Sequence, residues 1–222
     1  MNITIIAPGS RGDVQPYVAL GAGLQAAGYR VRIVTSDDFV RLVEDAGLEF
    51  CSTGHGVEAL LQDEEWRSVT EGGNFLTILA QMNREMKKHT DRMAREIPGM
   101  IEGSDLVLGG LGGLGGAFAS ADKAGIPTLQ AYLFPLTPTS AFSAPLTPSL
   151  PLAALNRPSY ALMRLAVWQT VRQTDAATRK LLYMAGTPPW GPFGDLTSRR
   201  IPVLYGYSRR VLPKPADWDE HT

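Results

Sequence analysis

The first thirty residues constrain the fold of this 222-residue chain more than any other stretch. Residues 2–7 form a short apolar run rich in β-branched side chains, which is typical of a buried parallel strand. A turn at residues 8–13, here called the first turn, separates this run from a helical pattern that begins at Val14 and ends at Gly28. Strand, turn and helix form the first half of a β-α-β unit. The turn therefore lies at the carboxyl end of a strand, where open α/β sheets bind ligands.

The same alternation continues along the chain. Further strand patterns occur at residues 30–35, 48–51, 105–108, 128–134 and 201–205. Helical patterns occur between them, at residues 37–46, 75–97, 117–124 and 160–184. This order predicts a Rossmann-like, doubly wound, mostly parallel α/β sheet. Residues 109–116, here called the glycine run, hold six glycines after a strand, so we expect their backbone to approach the first turn or a ligand closely at one edge of the sheet.

Composition narrows the classes of function. A net charge of −1 and no basic run give no electrostatic basis for binding nucleic acid. The single cysteine, Cys51, excludes an internal disulfide and suits a reducing compartment. The sequence opens with a strand pattern rather than a signal peptide, so we expect a cytoplasmic protein. The three histidines are scattered along the chain, and we expect no metal site.

Asp13 in the first turn has two possible roles. A carboxylate at the mouth of such a turn can accept a proton from a hydroxyl group as a general base. It can equally cap the following helix, whose free N–H groups and dipole stabilise a negative charge. His55 follows the third strand pattern at the same edge and is a second candidate base or polar contact, with a loop histidine in solvent as the alternative.

Residues 9–17, Gly-Ser-Arg-Gly-Asp-Val-Gln-Pro-Tyr, resemble the amino-terminal signature of the sterol, macrolide and glycopeptide-antibiotic glycosyltransferases, which have the GT-B architecture. Residues 124–127 and 213–218 extend the resemblance, which covers only the amino-terminal half of such an enzyme. It implies that Asp13 is the base that deprotonates the acceptor hydroxyl in an inverting sugar transfer. It also implies no cofactor beyond a nucleotide-sugar donor as co-substrate, which the family binds mainly through a second domain.

The resemblance implies an acceptor-binding domain over residues 1–212 and the start of an interdomain linker at residues 213–222. We expect the carboxyl-terminal donor-binding domain to be absent and this fragment alone to be inactive. Two other interpretations stay open. One is a binding module without catalysis, and the other is a subunit of a split enzyme that docks to a donor-binding chain.

The stretch at residues 124–156 holds no charged residue and six prolines, which excludes a transmembrane helix and predicts a long apolar loop. Such a loop suits a lipophilic acceptor or a shallow contact with a membrane, while packing on its own core is the alternative. The expected acceptor contacts come from the first turn, the glycine run and this loop: Gly9, Ser10, Arg11, Gly12, Gly110, Phe134 and Phe142.

Overall fold

A computed structural model describes residues 1–54, 75–145, 147 and 152–222. Within these residues six strands form one sheet: β1 (Asn2–Ile6), β2 (Arg30–Thr35), β3 (Glu49–Ser52), β4 (Leu106–Gly109), β5 (Thr128–Tyr132) and β6 (Val203–Tyr205). Every neighbouring pair is parallel, in the order β3-β2-β1-β4-β5-β6. This order is doubly wound, and its direction reverses between β1 and β4. The predicted Rossmann-like fold is confirmed.

The described helices alternate with the strands. They are α1 (Arg11–Ala26), α2 (Val40–Glu44), α3 (Phe75–Met100), α4 (Ala117–Ala124), α5 (Asn156–Leu181) and α6 (Phe193–Ser198). Short 3₁₀ turns occur at Asp37–Phe39, Leu111–Leu114 and Ala153–Leu155. No described helix is long and apolar enough to cross a bilayer.

Both faces of the sheet are covered, which explains why successive side chains of β1 are buried. Ile5 belongs to a core cluster on the α1 side, and the adjacent Ile6 belongs to a second cluster that contains residues of α3 and α5. Successive side chains of a strand point to opposite faces, so adjacent isoleucines are both buried only when each face carries helices.

The start of α1 differs from the sequence prediction. The helix begins at Arg11, three residues before the predicted Val14, with Ser10 as its N-cap. A helix that began at Val14 would hold Pro16 in its first helical turn. Pro16 is instead the sixth helical residue, so that expected position was wrong. A proline at this position has no N–H for the carbonyl of Gly12, so α1 lacks one helical hydrogen bond.

The segment that follows β5 packs on the core through its first residues. Leu136 and Ala144 are buried. The backbone N–H groups of Leu136 and Thr137 both donate to the Tyr205 hydroxyl, at 3.2 and 2.8 Å. This part of the predicted apolar loop is therefore tied to β6.

Residues 213–222, the predicted linker, lie against β6 and are here called the tail. The Val203 N–H donates to the carbonyl of His221 at 2.8 Å. The buried Trp218 ring stacks on Tyr205 with centroids 4.8 Å apart. Asp217 accepts hydrogen bonds from the Thr139 hydroxyl and the Ser140 N–H, so the tail is joined both to the outer strand and to the segment after β5.

Candidate active site

The first turn and the glycine run meet at the carboxyl edge of the sheet. Ile6, the last residue of β1, is the register partner of Gly109, the last residue of β4. The segments that follow these strands also touch, since a Cβ added to Gly112 would collide with the Pro8 ring. The prediction that they share one edge is confirmed, and that edge is the ligand-binding edge of an open α/β sheet.

Asp13 is exposed at the third residue of α1, and one of its carboxylate oxygens is held by hydrogen bonds. Its Oδ2 accepts hydrogen bonds from both the N–H and the hydroxyl of Ser10, each at 2.9 Å. Gly9 has a φ of +141°, and a Cβ there would lie 2.5 Å from this oxygen, so only glycine leaves room for the carboxylate. Among the described residues no group donates to Oδ1. Asp13 therefore caps the helix with one oxygen and keeps the other available.

Arg11 does not pair with Asp13. Its Nε donates to the Gln15 side chain at 3.1 Å, one helical turn further along α1. The carboxylate has no ion pair within the part of the chain that the structure describes. The hydrogen bonds from Ser10 are thus the contacts that orient it.

A cavity of about 50 Å³ opens beside Asp13. Its lining includes Tyr17, Gly110, Tyr132 and Phe134, which bring α1, the glycine run and the end of β5 together. A water needs roughly 10–15 Å³ of such space, so the cavity accepts the hydroxyl-bearing end of a larger molecule rather than a whole polycyclic one.

Tyr17 fixes the wall of this cavity. Its hydroxyl donates to the Ala131 carbonyl at 2.6 Å, and its side chain is buried. A Cβ on Gly110 would lie 2.5 Å from that hydroxyl and 2.6 Å from that carbonyl, so Gly110 provides the space in which they meet. Burial, with a smaller effect from the Asp13 charge, raises the pKa of Tyr17, and the phenol stays a hydrogen-bond donor.

Tyr17 was not among the site residues predicted from the sequence, although it is the last residue of the stretch 9–17. A buried tyrosine needs a partner for its hydroxyl, and this one lies one helical turn after Asp13, which is the signal that was available. Its partner, Ala131, is 114 residues away in the sequence.

The remaining predicted residues divide into two groups. Gly9, Ser10 and Gly12 lie beside Asp13 as expected, and Phe134 lines the cavity. Phe142 lies outside the cavity lining and packs edge-on against Trp218, with ring centroids 6.5 Å apart. The contact of each residue with an acceptor stays a prediction.

His55 falls outside the described residues, so its predicted role stays a prediction. Within the described ranges, no cluster of three or more His, Cys, Asp or Glu side chains could hold a metal ion. The Asp13 carboxylate, whose Oδ1 has no partner among the described residues, suits acceptance of a proton.

Comparison with known proteins identifies a family that matches this chain. Residues 3–143 match the family model described as the glycosyltransferase family 28 N-terminal domain. The chain is 29% identical over 225 residues to the sterol 3-beta-glucosyltransferase of Cryptococcus neoformans var. neoformans serotype D, covering 99% of this chain and 14% of that protein. It is 30% identical over 227 residues to the O-mycaminosyltylonolide 6-deoxyallosyltransferase of Streptomyces fradiae, covering 98% of this chain and 52% of that protein.

Among solved structures, the fold resembles SsfS6, a glycosyltransferase of Streptomyces sp. SF2575. The TM-score is 0.52 at 23% identity, over 85% of this chain and 48% of that one. SsfS6 complexed with thymidine diphosphate gives the same TM-score. At this identity the likeness shows a shared fold. The chain spans about half of the Streptomyces fradiae relative and a much smaller share of the fungal one.

Proposed function

The chain belongs to the glycosyltransferase family 28 N-terminal domain, and on this premise we propose that it binds the acceptor of an inverting glycosyl transfer, with Asp13 as the general base. The observation that carries the proposal is the state of the Asp13 carboxylate. Two hydrogen bonds from Ser10 fix Oδ2, while Oδ1 is free of partners within the described residues, beside a cavity of about 50 Å³.

The proposed reaction is a single displacement. The acceptor oxygen attacks the anomeric carbon of the sugar, and the bond from that carbon to the diphosphate oxygen of the donor breaks. Attack from the side opposite the leaving group inverts the configuration. An alcohol is far less acidic than a carboxylic acid, so Asp13 takes the proton only as the new carbon–oxygen bond forms. For this its free oxygen must lie within about 3 Å of the acceptor oxygen.

The proposed acceptor is a lipophilic molecule that carries a hydroxyl group. Phe134 supplies an apolar wall to the cavity, and residues 124–156 contain no charge. The names of the two relatives state a sterol and O-mycaminosyltylonolide as the molecules they glycosylate. We propose a nucleotide sugar as the donor, since SsfS6 was solved with thymidine diphosphate. A second domain or subunit would hold most of that donor.

Replacing Asp13 by Asn tests the proposed base. Asn can still accept a hydrogen bond from the Ser10 N–H, so the cap is largely kept while the proton acceptor is lost. In an enzyme that joins this chain to its donor-binding half, we expect kcat to fall about 10²- to 10⁴-fold with little change in the KM for the acceptor. Asp45→Asn, at an exposed aspartate that follows α2, is the matched control and should keep kcat.

The Asp13 proposal fails if Asp13→Asn keeps kcat within about threefold of the wild type, or if it unfolds the domain. Either result would leave helix capping as the role of this carboxylate.

Thermal unfolding of the 222-residue chain with added ligands tests acceptor binding. A molecule at about 100 times its Kd stabilises the folded state by about 2.7 kcal/mol. We expect sterol-like or macrolide-like alcohols to raise the Tm and nucleotides alone to leave it unchanged. The opposite pattern would favour a nucleotide-binding module without catalysis.

A further inference from the structure

Asp217, in the tail, binds two consecutive residues of the segment that follows β5. Its Oδ1 accepts a hydrogen bond from the Thr139 hydroxyl at 2.6 Å, and its Oδ2 accepts one from the Ser140 N–H at 2.9 Å. Arg157, at the start of α5, lies 3.5 Å from the same Oδ2. The hydrogen bond from Thr139, followed by that from Ser140, lowers the pKa of Asp217, so the carboxylate is charged at neutral pH. Hydrogen bonds to a charged carboxylate are stronger than those between neutral groups.

The contact between Asp217 and Thr139 is partly enclosed. Thr139 is fully buried, and its hydroxyl also accepts the Ala141 N–H at 3.1 Å. The neighbouring Trp218 is buried and packs on Phe142 of the same segment. The tail therefore holds the segment after β5 at two places, by a hydrogen-bonded carboxylate and by an aromatic ring.

The residues that Asp217 binds are connected to the cavity beside Asp13 by a short stretch of chain. Phe134 lines that cavity, and only four residues separate it from Thr139. Two of the four, Pro135 and Pro138, are prolines, whose rings fix the φ angle. The stretch has few ways to absorb a shift of Thr139 without moving Phe134.

We propose that Asp217 is a positioning residue for the acceptor, acting through Thr139 and Ser140 on the Phe134 wall of the cavity. Asp217 itself lies outside the cavity lining. The proposal deepens the proposed function and rests on it in one respect, since it takes the cavity beside Asp13 as the place where the acceptor hydroxyl enters.

The alternative is that Asp217 only anchors the tail over β6. The two roles differ in how far the loss of Asp217 is felt along the segment. An anchor affects the residues that it binds, Thr139 and Ser140. A positioning residue also affects Leu136 and Thr137, whose N–H groups donate to the Tyr205 hydroxyl close to the cavity wall.

Amide hydrogen exchange of the 222-residue chain tests the proposal without any ligand. Asn at position 217 offers one acceptor oxygen instead of two and turns an NH₂ group toward a donor. We expect Asp217→Asn to speed exchange at the Leu136 and Thr137 amides about tenfold, since a charged hydrogen-bond acceptor is lost. Faster exchange at Ser140 is expected in either role.

Two matched comparisons accompany this variant. Thr139→Val removes the hydroxyl and should act as Asp217→Asn does, while Thr139→Ser keeps the hydroxyl and should behave as the wild type. Asp219→Asn is the same substitution two positions later in the tail. The Asp219 carboxylate accepts hydrogen bonds from His221 and Thr222, within the tail, so its loss should leave exchange at Leu136 and Thr137 unchanged.

Kinetics of an enzyme that joins this chain to a donor-binding half give the functional measurement. With cholesterol or a macrolide alcohol as the probe acceptor, we expect Asp217→Asn to raise the KM for the acceptor about tenfold. The KM for the donor should stay within about twofold, because the residues that Asp217 binds lead to the acceptor cavity.

Three results would overturn the proposal. The first is an Asp217→Asn variant in which exchange changes at Thr139 and Ser140 but not at Leu136 and Thr137. The second is an unchanged acceptor KM in that variant, and the third is a Thr139→Ser variant that exchanges as fast as Thr139→Val. If the joined wild-type enzyme glycosylates neither probe, the proposed acceptor class fails, and hydrogen exchange alone still decides the role of Asp217.

Discussion

The first turn and the glycine run reach the same edge of the sheet. Their glycines lack side chains, and different groups occupy the space that this leaves in each segment. At Gly9 the space admits the Oδ2 atom of Asp13, a functional group at the surface. In the glycine run the space is filled by side chains of other elements. The Tyr17 hydroxyl lies against Gly110, and the Phe118 ring lies 2.6 Å from a Cβ built on Gly113. A glycine-rich segment after a strand can thus bring elements of the fold together rather than bind a phosphate.

The strongest test of this comparison is Gly110→Ala. The new methyl group would lie 2.5 Å from the Tyr17 hydroxyl and 2.6 Å from the Ala131 carbonyl, a backbone atom of β5 that has little freedom to move. Overpacking costs about 1–3 kcal/mol, and loss of the Tyr17 hydrogen bond adds about 1 kcal/mol. We expect the free energy of unfolding, measured with denaturant, to fall by about 3 kcal/mol.

Gly23→Ala is the matched control for this replacement. Gly23 lies inside α1, and a Cβ there meets nothing within 4 Å. Alanine should stabilise the helix at this position by about 0.5–1 kcal/mol. A Gly110→Ala variant as stable as the wild type would show that the glycine run is not packed as described.

Gly9→Ala should have a smaller effect on stability and a larger one on the site. An alanine at a φ of +141° costs about 1–3 kcal/mol of backbone strain, and its methyl group would displace the Asp13 carboxylate. We expect a loss of about 2 kcal/mol in the free energy of unfolding. In an enzyme that joins this chain to a donor-binding half, we expect kcat to fall at least about tenfold. Loss of stability with unchanged kcat would mean that the first turn, like the glycine run, serves packing alone.

Tyr17→Phe should have the smallest effect of the three. It removes the donor to the buried Ala131 carbonyl, which costs about 1–2 kcal/mol. Combining it with Gly110→Ala in a double-mutant cycle sharpens the comparison. The double variant should lose less free energy of unfolding than the sum of the losses in the two single variants, since the alanine already disrupts the same hydrogen bond. Full additivity would show that Gly110 and Tyr17 do not share this contact.

The sequence was sufficient for those parts of the structure that depend on local pattern. The alternation of strands and helices predicted the fold, and residues 117–124 were predicted as a helix with the bounds that α4 has. The start of α1 was missed, although serine followed three residues later by aspartate is a known capping pattern. Ser10 and Asp13 form that cap and move the helix start to Arg11.

Other parts of the site depend on residues far apart in the sequence and could not be predicted. Phe142 lies in an apolar segment that suits an acceptor, but its ring packs against Trp218, 76 positions later. The hydrogen bond between Tyr17 and Ala131 likewise joins α1 to β5 across most of the domain. Periodicity identifies which side chains are buried, but it does not identify the partner that each side chain meets.

The position of the tail has a consequence for the solubility of the domain. β6 is an outer strand, and an outer strand with open N–H and C=O groups is a template on which another chain can add and aggregate. The tail covers this strand. The His221 carbonyl accepts a hydrogen bond from the Val203 N–H, and the Trp218 ring stacks on the Tyr205 ring. Removing residues 213–222 would therefore expose the edge strand and favour aggregation of the domain, although these residues lie far from the proposed base in the sequence.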